Sequence, residues 1–268
     1  MRIKVKTLEG APEKEIELPK QFEEEPRPDL VKKAVQVLQA NKRQKYGASP
    51  EAGKRHSAEL SRRRRKYRGS YGYGISRVPR KIMSRRGTRM NWEGAFAPGT
   101  RGGRRAHPPK AEKNWEQKIN KKENRKAIRS AISASVITEI VEKRGHKVPK
   151  DYPFVISSKI EDAEKTKEVK KVLEKLGLKE ELERVSKTVR KEGKAKIRGR
   201  KTKVKIGPLI VVSKECKLSK AAKNVKGVDV VPVNAINAEV LAPGAVMGRL
   251  TLWSESAIEK MGKEKLYL

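Results

Sequence analysis

Apolar and polar residues alternate at the start of the chain. Residues 2–6 and 15–18 place an apolar side chain at every second position, which predicts two short strands. The spacing then changes to one helical face, formed by Leu30, Val31, Ala34, Val35 and Leu38. This face predicts a helix that Asp29 caps and that runs through about Arg43.

Short apolar runs in the second half of the chain predict strands that are buried on both faces. The runs centre on Phe154, Leu209, Val230 and Leu250. Helical spacing appears over residues 169–176, before Gly177, and again over residues 178–189, and Ser254 is a candidate cap for a last helix through Lys260. Strands that alternate with helices predict an α/β layer structure with a largely parallel sheet.

A long helix is predicted between these two regions, from about Glu112 to Arg144. Its first half is basic, with Lys121, Lys122 and Arg125, and its second half is small and apolar. Gly145 follows two cations, which is typical of a helix end. We expect one end to pack on a core and the other end to contact phosphate.

Residues 46–110 show neither the alternation typical of strands nor the periodicity typical of helices. They contain 18 Lys or Arg and three Glu, which gives a net charge of +15 in 65 residues. A stretch this long without secondary structure is uncommon inside a compact domain, and it buries too little surface to offset its ordering entropy. The sequence therefore divides into a globular α/β domain, residues 1–45 and 111–268, and an extended basic Gly/Arg-rich loop, residues 46–110. The loop is either a disordered linker or a segment that RNA orders.

Aromatic residues lie among the arginines of this loop, and they favour RNA over a plain linker because unpaired bases stack on such rings. They are Tyr67, Tyr71, Tyr73 and Trp92. Residues 62–68 form the densest basic cluster, whose simplest alternative is a purely electrostatic or nuclear-import-like tract. Residues 101–110 combine glycines with a stiff Pro-Pro exit, and their alternative is a flexible hinge. Residues 191–205 form a second basic stretch.

The overall charge changes the picture further. The chain of 268 residues has 67 Lys or Arg and 32 Asp or Glu, a net charge of +35. Such an excess favours a polyanionic partner, and nucleic acid fits better than a membrane because the basic stretches lack a bulky apolar face. No apolar run is long enough to span a bilayer, and residues 1–5 do not resemble a signal peptide. A single cysteine, Cys216, excludes an internal disulfide and fits a reducing cytoplasm.

Enzyme motifs are weak. Gly72 and Gly74 begin like a dinucleotide-binding fingerprint, but Arg77 occupies the last glycine position and no predicted strand precedes it. One cysteine and three separated histidines give no metal-ligand spacing. The sequence predicts no catalytic, cofactor or metal site. The rival hypotheses are an RNA-processing or RNA-modifying enzyme with a basic arm, and an architectural DNA-binding protein, although the most basic segment is Gly-rich and non-helical.

Three motifs resemble the universal large-subunit ribosomal protein four family, of the archaeal and eukaryotic type. They are GAFAPG (94–99), RGGRRAHPPK (101–110) and RKAIRSAISAS (125–135). Upstream, YGYG (71–74) followed by SRVPR (76–80) is similar to the same family's loop entry. The likeness covers nearly the whole chain in its order of elements, and a chain that stops at Leu268 without a long basic tail is more similar to the archaeal form.

The resemblance implies a three-layer α/β/α globular domain with a mostly parallel four-stranded sheet. It also implies a structural, non-enzymatic constituent of the large ribosomal subunit that supports assembly. Its extended loop would thread through ribosomal RNA and line the nascent polypeptide exit tunnel. The loop tip, residues 77–92, would approach the tunnel constriction, but the family's usual Gly-Thr-Gly-Arg is replaced here by residues 72–75, Gly-Tyr-Gly-Ile.

The sequence and the resemblance together give a set of candidate RNA ligands. They are Lys54, Arg55, Arg62, Arg63, Arg64, Arg65, Lys66, Arg68, Arg77, Arg80, Lys81, Arg85, Arg86, Arg89, Arg101, Arg104, Arg105, His107, Lys110, Lys121, Lys122, Arg125, Lys196, Arg198, Arg200 and Lys201. The candidate tunnel-facing residues are Arg85, Arg89, Met90 and Trp92. The expected partners are large-subunit ribosomal RNA, neighbouring ribosomal proteins and the nascent polypeptide, with no membrane and no cofactor, in the cytoplasm.

Overall fold

The computed structural model of the chain describes residues 1–66, 69–87 and 89–268. The predicted stacking residue Tyr67 and the predicted RNA ligand Arg68 lie outside this range. The chain divides into two compact units. We call Met1–Lys42 with Glu116–Leu268 the α/β unit, and Arg43–Trp115 the basic unit.

The secondary structure alternates along most of the chain. The strands are β1 (Arg2–Lys6), β2 (Pro12–Glu17), β3 (Arg80–Arg86), β4 (Arg89–Gly94), β5 (Val155–Ile156), β6 (Val189–Arg190), β7 (Thr202–Lys203), β8 (Leu209–Val212), β9 (Asp229–Pro232) and β10 (Thr251–Ser254). The helices are α1 (Pro28–Asn41), α2 (Lys121–Ala134), α3 (Thr138–Lys143), α4 (Thr166–Leu173), α5 (Lys179–Ser186), α6 (Lys194–Ile197), α7 (Lys217–Ala221), α8 (Ala238–Leu241) and α9 (Glu255–Lys263). Among the described residues, no helix is both long and apolar enough to cross a bilayer.

The main sheet has the strand order β2-β1-β5-β10-β8-β9. All neighbouring pairs are parallel except β1 with β2, which form an antiparallel pair at one edge. The prediction of an α/β fold with a mostly parallel sheet is confirmed. The sheet has six strands instead of the expected four, because β1 pairs with β5 and carries β2 with it.

Apolar residues on both faces of the sheet hold the α/β unit together. Leu209 and Val211 of β8 pack in one cluster with side chains of α1, α2 and α9. Ile210 and Val212 of the same strand pack in a second cluster with α4, α5 and α7. Because successive side chains of a strand point to opposite faces, the four-residue apolar run fills both layers. The fold is therefore α/β/α.

The predicted long helix is wrong in two respects. It begins at Lys121 instead of Glu112, and it is interrupted between Ala134 and Thr138. The hydroxyl of Ser135 donates to the carbonyl of Ile132 at 2.6 Å, which competes with helical bonding. Two β-branched residues follow, and they add to the cost of continuing the helix.

Helix α1 also begins differently from the prediction. Arg27 is its N-cap and Pro28 its first residue, whereas Asp29 lies inside the first turn of the helix. Proline suits this position because its missing N–H would have no helical partner. The carboxylate of Asp29 instead favours the helix through its charge near the N-terminus.

Two further end signals are confirmed and one assignment is wrong. Gly177, with φ of +84°, ends the α4 segment, and the Ser254 hydroxyl accepts from the Ala257 N–H at 3.2 Å at the start of α9. Val189, which the sequence placed on a helical face, belongs to β6 and is 54% exposed. A β-branched residue next to a basic turn can adopt either conformation, so spacing alone did not separate them.

Candidate nucleic-acid interface

Two segments of the basic unit, residues 47–56 and 102–111, lie side by side and approach each other most closely at glycines. The Ala48 N–H donates to the Pro109 carbonyl at 2.9 Å. Beside this bond, a Cβ on Gly47 would lie 2.4 Å from the backbone nitrogen of Ala111. A side chain at position 47 is therefore excluded by the backbone of the opposite segment.

A second contact lies further along the same two segments. Gly53 has φ of +73°, and a Cβ there would lie 2.4 Å from the backbone nitrogen of Arg104. The His56 ring nitrogen Nε2 is 3.0 Å from the Gly102 carbonyl oxygen. Residues 47–56 and 102–111 thus form a stem, and glycine at positions 47 and 53 is what lets the two segments approach.

Strands β3 and β4 form an antiparallel hairpin, with pairs from Arg80 opposite Gly94 to Arg86 opposite Arg89. Gly87 at its turn has φ of +59°. The sequence predicted no strand in this region, because only Ile82 and Trp92 stand out among polar and basic neighbours, and these two residues pair across the hairpin. That expectation of a structureless stretch is wrong for residues 80–94.

Almost all the described candidate RNA ligands present their side chains to solvent. The exceptions are Arg80, Lys81 and Arg104, which are partly buried. Arg85, Arg86 and Arg89 lie exposed at the end of the hairpin, whereas Met90 and Trp92 are partly buried along β4. The hairpin end therefore presents guanidinium groups, which bind phosphate oxygens in pairs.

Arginines of the basic unit also pack on its aromatic rings. The guanidinium carbon of Arg77 is 4.9 Å from the ring centre of Tyr71. The same distance, from guanidinium carbon to ring centre, is 5.6 Å for Arg104 and Phe96 and 5.7 Å for Arg80 and Trp92. Each contact is a cation–π interaction that fixes a flexible side chain before any ligand arrives.

Arg80 has the most internal contacts of the three. It donates to the carbonyls of Ser76 at 2.6 Å and Val78 at 3.1 Å. Part of its donor capacity is therefore used to hold the start of the hairpin. It is a weaker candidate for phosphate binding than the exposed arginines at the hairpin end.

The α/β unit carries two basic surfaces of its own. Lys121 and Lys122 are exposed in the first turn of α2, while Arg125 donates to the Leu268 carbonyl at 2.7 Å. The second basic stretch forms the β6–β7 hairpin, in which Val189 pairs with Lys203. Its candidate ligands are all exposed; they are Lys196, Arg198, Arg200 and Lys201.

A buried ionic cluster holds the end of the β6–β7 segment. The Glu181 side chain is inaccessible to solvent and accepts from His146 Nδ1 and Arg184 Nη2, both at 2.7 Å. It also accepts from the Lys147 N–H at 2.9 Å, and Arg184 donates to the Ile206 carbonyl at 2.7 Å. Sequence spacing did not indicate this cluster, because its members lie up to 60 residues apart.

Burial alone would raise the pKa of Glu181. The hydrogen bonds from Arg184, His146 and the Lys147 amide outweigh burial and lower the pKa of this carboxyl to about 2. Glu181 is therefore ionised at neutral pH. Both oxygens of the Glu181 carboxylate accept hydrogen bonds from members of the cluster, so we assign this residue a structural role.

The carboxyl ends of the parallel strands are the edge where ligands of α/β sheets commonly bind. Glu161 lies at this edge and accepts from the hydroxyls of Ser213, Ser254 and Ser256, at 2.7, 2.8 and 2.5 Å. Burial raises the pKa of Glu161, but these bonds outweigh it and lower the pKa. The Glu161 carboxylate therefore connects the loops after β8 and β10, and both of its oxygens accept hydrogen bonds. In the described part of the chain, no group of three or more His, Cys, Asp or Glu could hold a metal ion.

An aromatic stack in the basic unit was also missed from the sequence. Tyr46 and Trp115 pack ring on ring, with centroids 5.9 Å apart and planes inclined by 18°. Their positions next to the changes in composition near residues 46 and 110 were the available signal. Only the fold brings them together, across almost 70 residues of chain.

Comparison with known proteins identifies the family of this chain. Residues 16–264 match the model of the Ribosomal protein L4/L1 family. The Large ribosomal subunit protein uL4 of Nanoarchaeum equitans is 47% identical over 268 residues, covering 100% of both chains. The proteins of the same name from Methanosphaera stadtmanae and Archaeoglobus fulgidus are 46% and 43% identical, and they cover 97% and 98% of this chain and 96% and 99% of their own. The chain therefore belongs to the Ribosomal protein L4/L1 family.

Proposed function

We propose that this protein is a structural constituent of the large ribosomal subunit, where it binds ribosomal RNA and neighbouring ribosomal proteins in the cytoplasm. The observation that carries the proposal is the exposed arginine-rich surface of the basic unit in a chain of the Ribosomal protein L4/L1 family. The full-length match to uL4 proteins supports it. The alternative of an RNA-processing enzyme has no support in the comparisons, and the family's role is structural.

Binding is mainly electrostatic and shape-dependent. Guanidinium and ammonium groups neutralise phosphates without regard to sequence, and folded RNA offers its backbone and minor groove more readily than its base edges. The basic unit supplies the larger share, because its exposed arginines are dense along residues 62–66 and at the end of the hairpin. The β6–β7 hairpin and the first turn of α2 add contacts from the α/β unit.

The finer proposal concerns residues 46–110 as a loop that threads through ribosomal RNA to the nascent polypeptide exit tunnel. The β3–β4 hairpin supports it, because its end carries exposed Arg85, Arg86 and Arg89. We assign Arg85, Arg89, Met90 and Trp92 to the tunnel side. The guanidinium groups bind RNA phosphates of the wall, and Met90 and Trp92 contact the peptide path.

Sedimentation of a cell lysate tests the ribosomal role. The chain should migrate with the large subunit through roughly 0.5 M salt, because loosely held electrostatic binders dissociate as salt rises. Appearance at the top of the gradient would contradict a stably integrated component. It would instead indicate a transient RNA-binding factor.

Photo-cross-linking tests the tunnel assignment. A photoreactive amino acid at Met90 should cross-link to a stalled nascent chain of sufficient length on purified ribosomes. The matched control carries the same group at Met83, on the other strand of the hairpin, where the side chain is 65% exposed. Cross-links to RNA alone from position 90 would contradict the assignment of Met90 to the peptide path.

A further inference from the structure

Cations pack against both rings of the aromatic stack in the basic unit, and the Arg43 guanidinium carbon lies 5.4 Å from the ring centre of Tyr46. The Arg43 guanidinium lies 3.9 Å from the ring centre of Trp115, and the Lys113 ammonium lies 4.3 Å from it. Tyr46, which stacks on Trp115, is 49% exposed. The pair thus forms a fixed platform with an accessible aromatic side chain.

A cleft of about 840 Å³ opens beside this platform. Its wall is the turn from Arg105 to Lys110, which includes His107 and the Pro108-Pro109 pair, and Glu112 is the one acidic residue that lines it. The volume falls in the range of small-ligand sites. The two prolines restrict the backbone of this wall, because the proline ring fixes φ.

The chemistry of the cleft fits a flat, anionic ligand. A tyrosine ring beside it offers stacking area, and Arg105 and Lys110 offer positive charge. Unpaired nucleotides combine a planar base with a phosphate, and proteins hold them on aromatic side chains next to basic groups. Double-stranded RNA offers no free base face, so its binding would need basic groups but no exposed aromatic ring. The exposed ring of Tyr46 therefore favours an unpaired nucleotide.

We propose that the cleft beside Tyr46 and Trp115 binds one unpaired nucleotide of ribosomal RNA. The base stacks on Tyr46, and Arg105 and Lys110 neutralise the adjacent phosphates. This inference rests on the proposed RNA-binding function and makes it more specific. It assigns to one point of the basic unit a preference for single-stranded RNA that the arginine clusters do not have.

Binding of the full chain to two RNA probes tests this site. The probes are a single-stranded RNA octamer and a hairpin duplex with the same number of phosphates. Tyr46→Leu should weaken binding to the octamer about 5- to 100-fold, the range expected for losing one base–aromatic stack, and leave duplex binding within about twofold. Tyr46→Phe, which keeps the ring, is the matched control and should bind both probes like the parent protein. The salt dependence should be unchanged in both variants because no charge is removed.

The outcomes separate this inference from the proposed function. Equal octamer binding by Tyr46→Leu and Tyr46→Phe, in a parent protein that binds RNA, would overturn the nucleotide site and leave the ribosomal role intact. A parent protein that binds neither probe nor large-subunit RNA would overturn the proposed function itself.

A second measurement needs no variant and therefore does not depend on folding of the mutant. An octamer containing 4-thiouridine, irradiated with the unaltered chain, should cross-link to the peptide that contains Tyr46 or to the one that contains Trp115. Cross-links confined to other peptides would overturn the proposal.

Discussion

The α/β unit buries apolar side chains on both faces of its sheet, whereas Ala95 is the only buried apolar side chain among the described residues of the basic unit. Charge shows the opposite distribution. Residues 43–115 carry a net charge of +17 in 73 residues, and the remaining 195 residues carry +18. The α/β unit therefore offsets its ordering entropy by burial, while the basic unit relies on backbone contacts, cation–π pairs and, in our proposal, RNA.

The difference teaches which substitutions should affect stability and which should affect binding. Changes inside the α/β unit should alter its unfolding free energy. Changes in the basic unit should alter RNA affinity, salt dependence or local opening, and leave that unfolding free energy nearly unchanged.

The largest effect should come from the buried ionic cluster of the α/β unit. Glu181→Ala leaves Arg184 and His146 without their acceptor, and loss of one member of such a buried cluster costs about 3–5 kcal/mol. Chemical denaturation measures the loss. Glu183→Ala, an exposed position on the same helix, is the control and should change stability by less than about 0.5 kcal/mol. Equal effects at both positions would show that the cluster does not hold the unit.

The same carboxyl predicts a pH dependence. Because its folded-state pKa is lowered to about 2, its contribution is present above the unfolded value of about 4.3 and is lost as pH falls toward 2. The unfolding free energy of the parent protein should therefore decrease between about pH 4.5 and pH 2. Glu181→Gln should show a shallower decrease over this window in parallel urea titrations, and an identical pH profile would contradict the lowered pKa.

A smaller and local effect is expected in the stem of the basic unit. Gly53→Ala adds a Cβ 2.4 Å from the Arg104 nitrogen and places alanine at φ of +73°. The left-handed conformation alone costs about 1–2 kcal/mol, and the clash adds to it. Limited proteolysis within residues 43–115 should become several-fold faster, with no change in the denaturation of the α/β unit. Gly99→Ala is the control, because Gly99 has a similar φ of +85° but open space around it, so it should accelerate cleavage less.

Replacement of the hairpin-end arginines should change binding without changing stability. The triple variant Arg85→Gln, Arg86→Gln and Arg89→Gln should flatten the dependence of log affinity on log salt by roughly 2–3, or about 0.7–0.9 for each phosphate that is no longer neutralised. Filter binding to large-subunit RNA at several salt concentrations measures this. An unchanged slope would mean that these side chains do not bind phosphate.

Deletion of a large part of the basic unit should also have little effect on the stability of the α/β unit. Replacing residues 69–105 with a short Gly-Ser linker removes the hairpin and eight of the fifteen arginines between residues 43 and 115, yet it removes none of the apolar clusters on the sheet. The thermal midpoint of the α/β unit should shift by no more than a few degrees. A large drop would show that the basic unit contributes to the stability of the sheet domain.

The sequence predicted the α/β unit well where one physical effect dominates. The apolar run of β8 and the Ser254 cap each follow from local chemistry, and both are found in the structure. Prediction failed where tertiary contacts decide. The start of α2 at Lys121 and the placement of Val189 in β6 depend on packing and strand pairing that spacing does not contain.

The candidate site shows the same division. Arginine density predicted candidate RNA ligands, most of which the structure exposes to solvent, because charge is a property of composition. It could not identify Arg80 and Arg104 as partners of Trp92 and Phe96, since an arginine that packs on a ring and one that binds phosphate look alike in sequence. The β3–β4 hairpin was missed because its strands are basic along most of their length.

The most direct test of the division between the two units is a sedimentation experiment with paired chains. The full chain and the chain with residues 69–105 replaced by a linker are expressed with the same tag, and lysates are centrifuged through roughly 0.5 M salt. The account predicts that the full chain migrates with the large subunit, while the shortened chain remains folded and is found at the top of the gradient. Equal retention of both chains would contradict the claim that residues 69–105 are needed for stable binding to the large subunit.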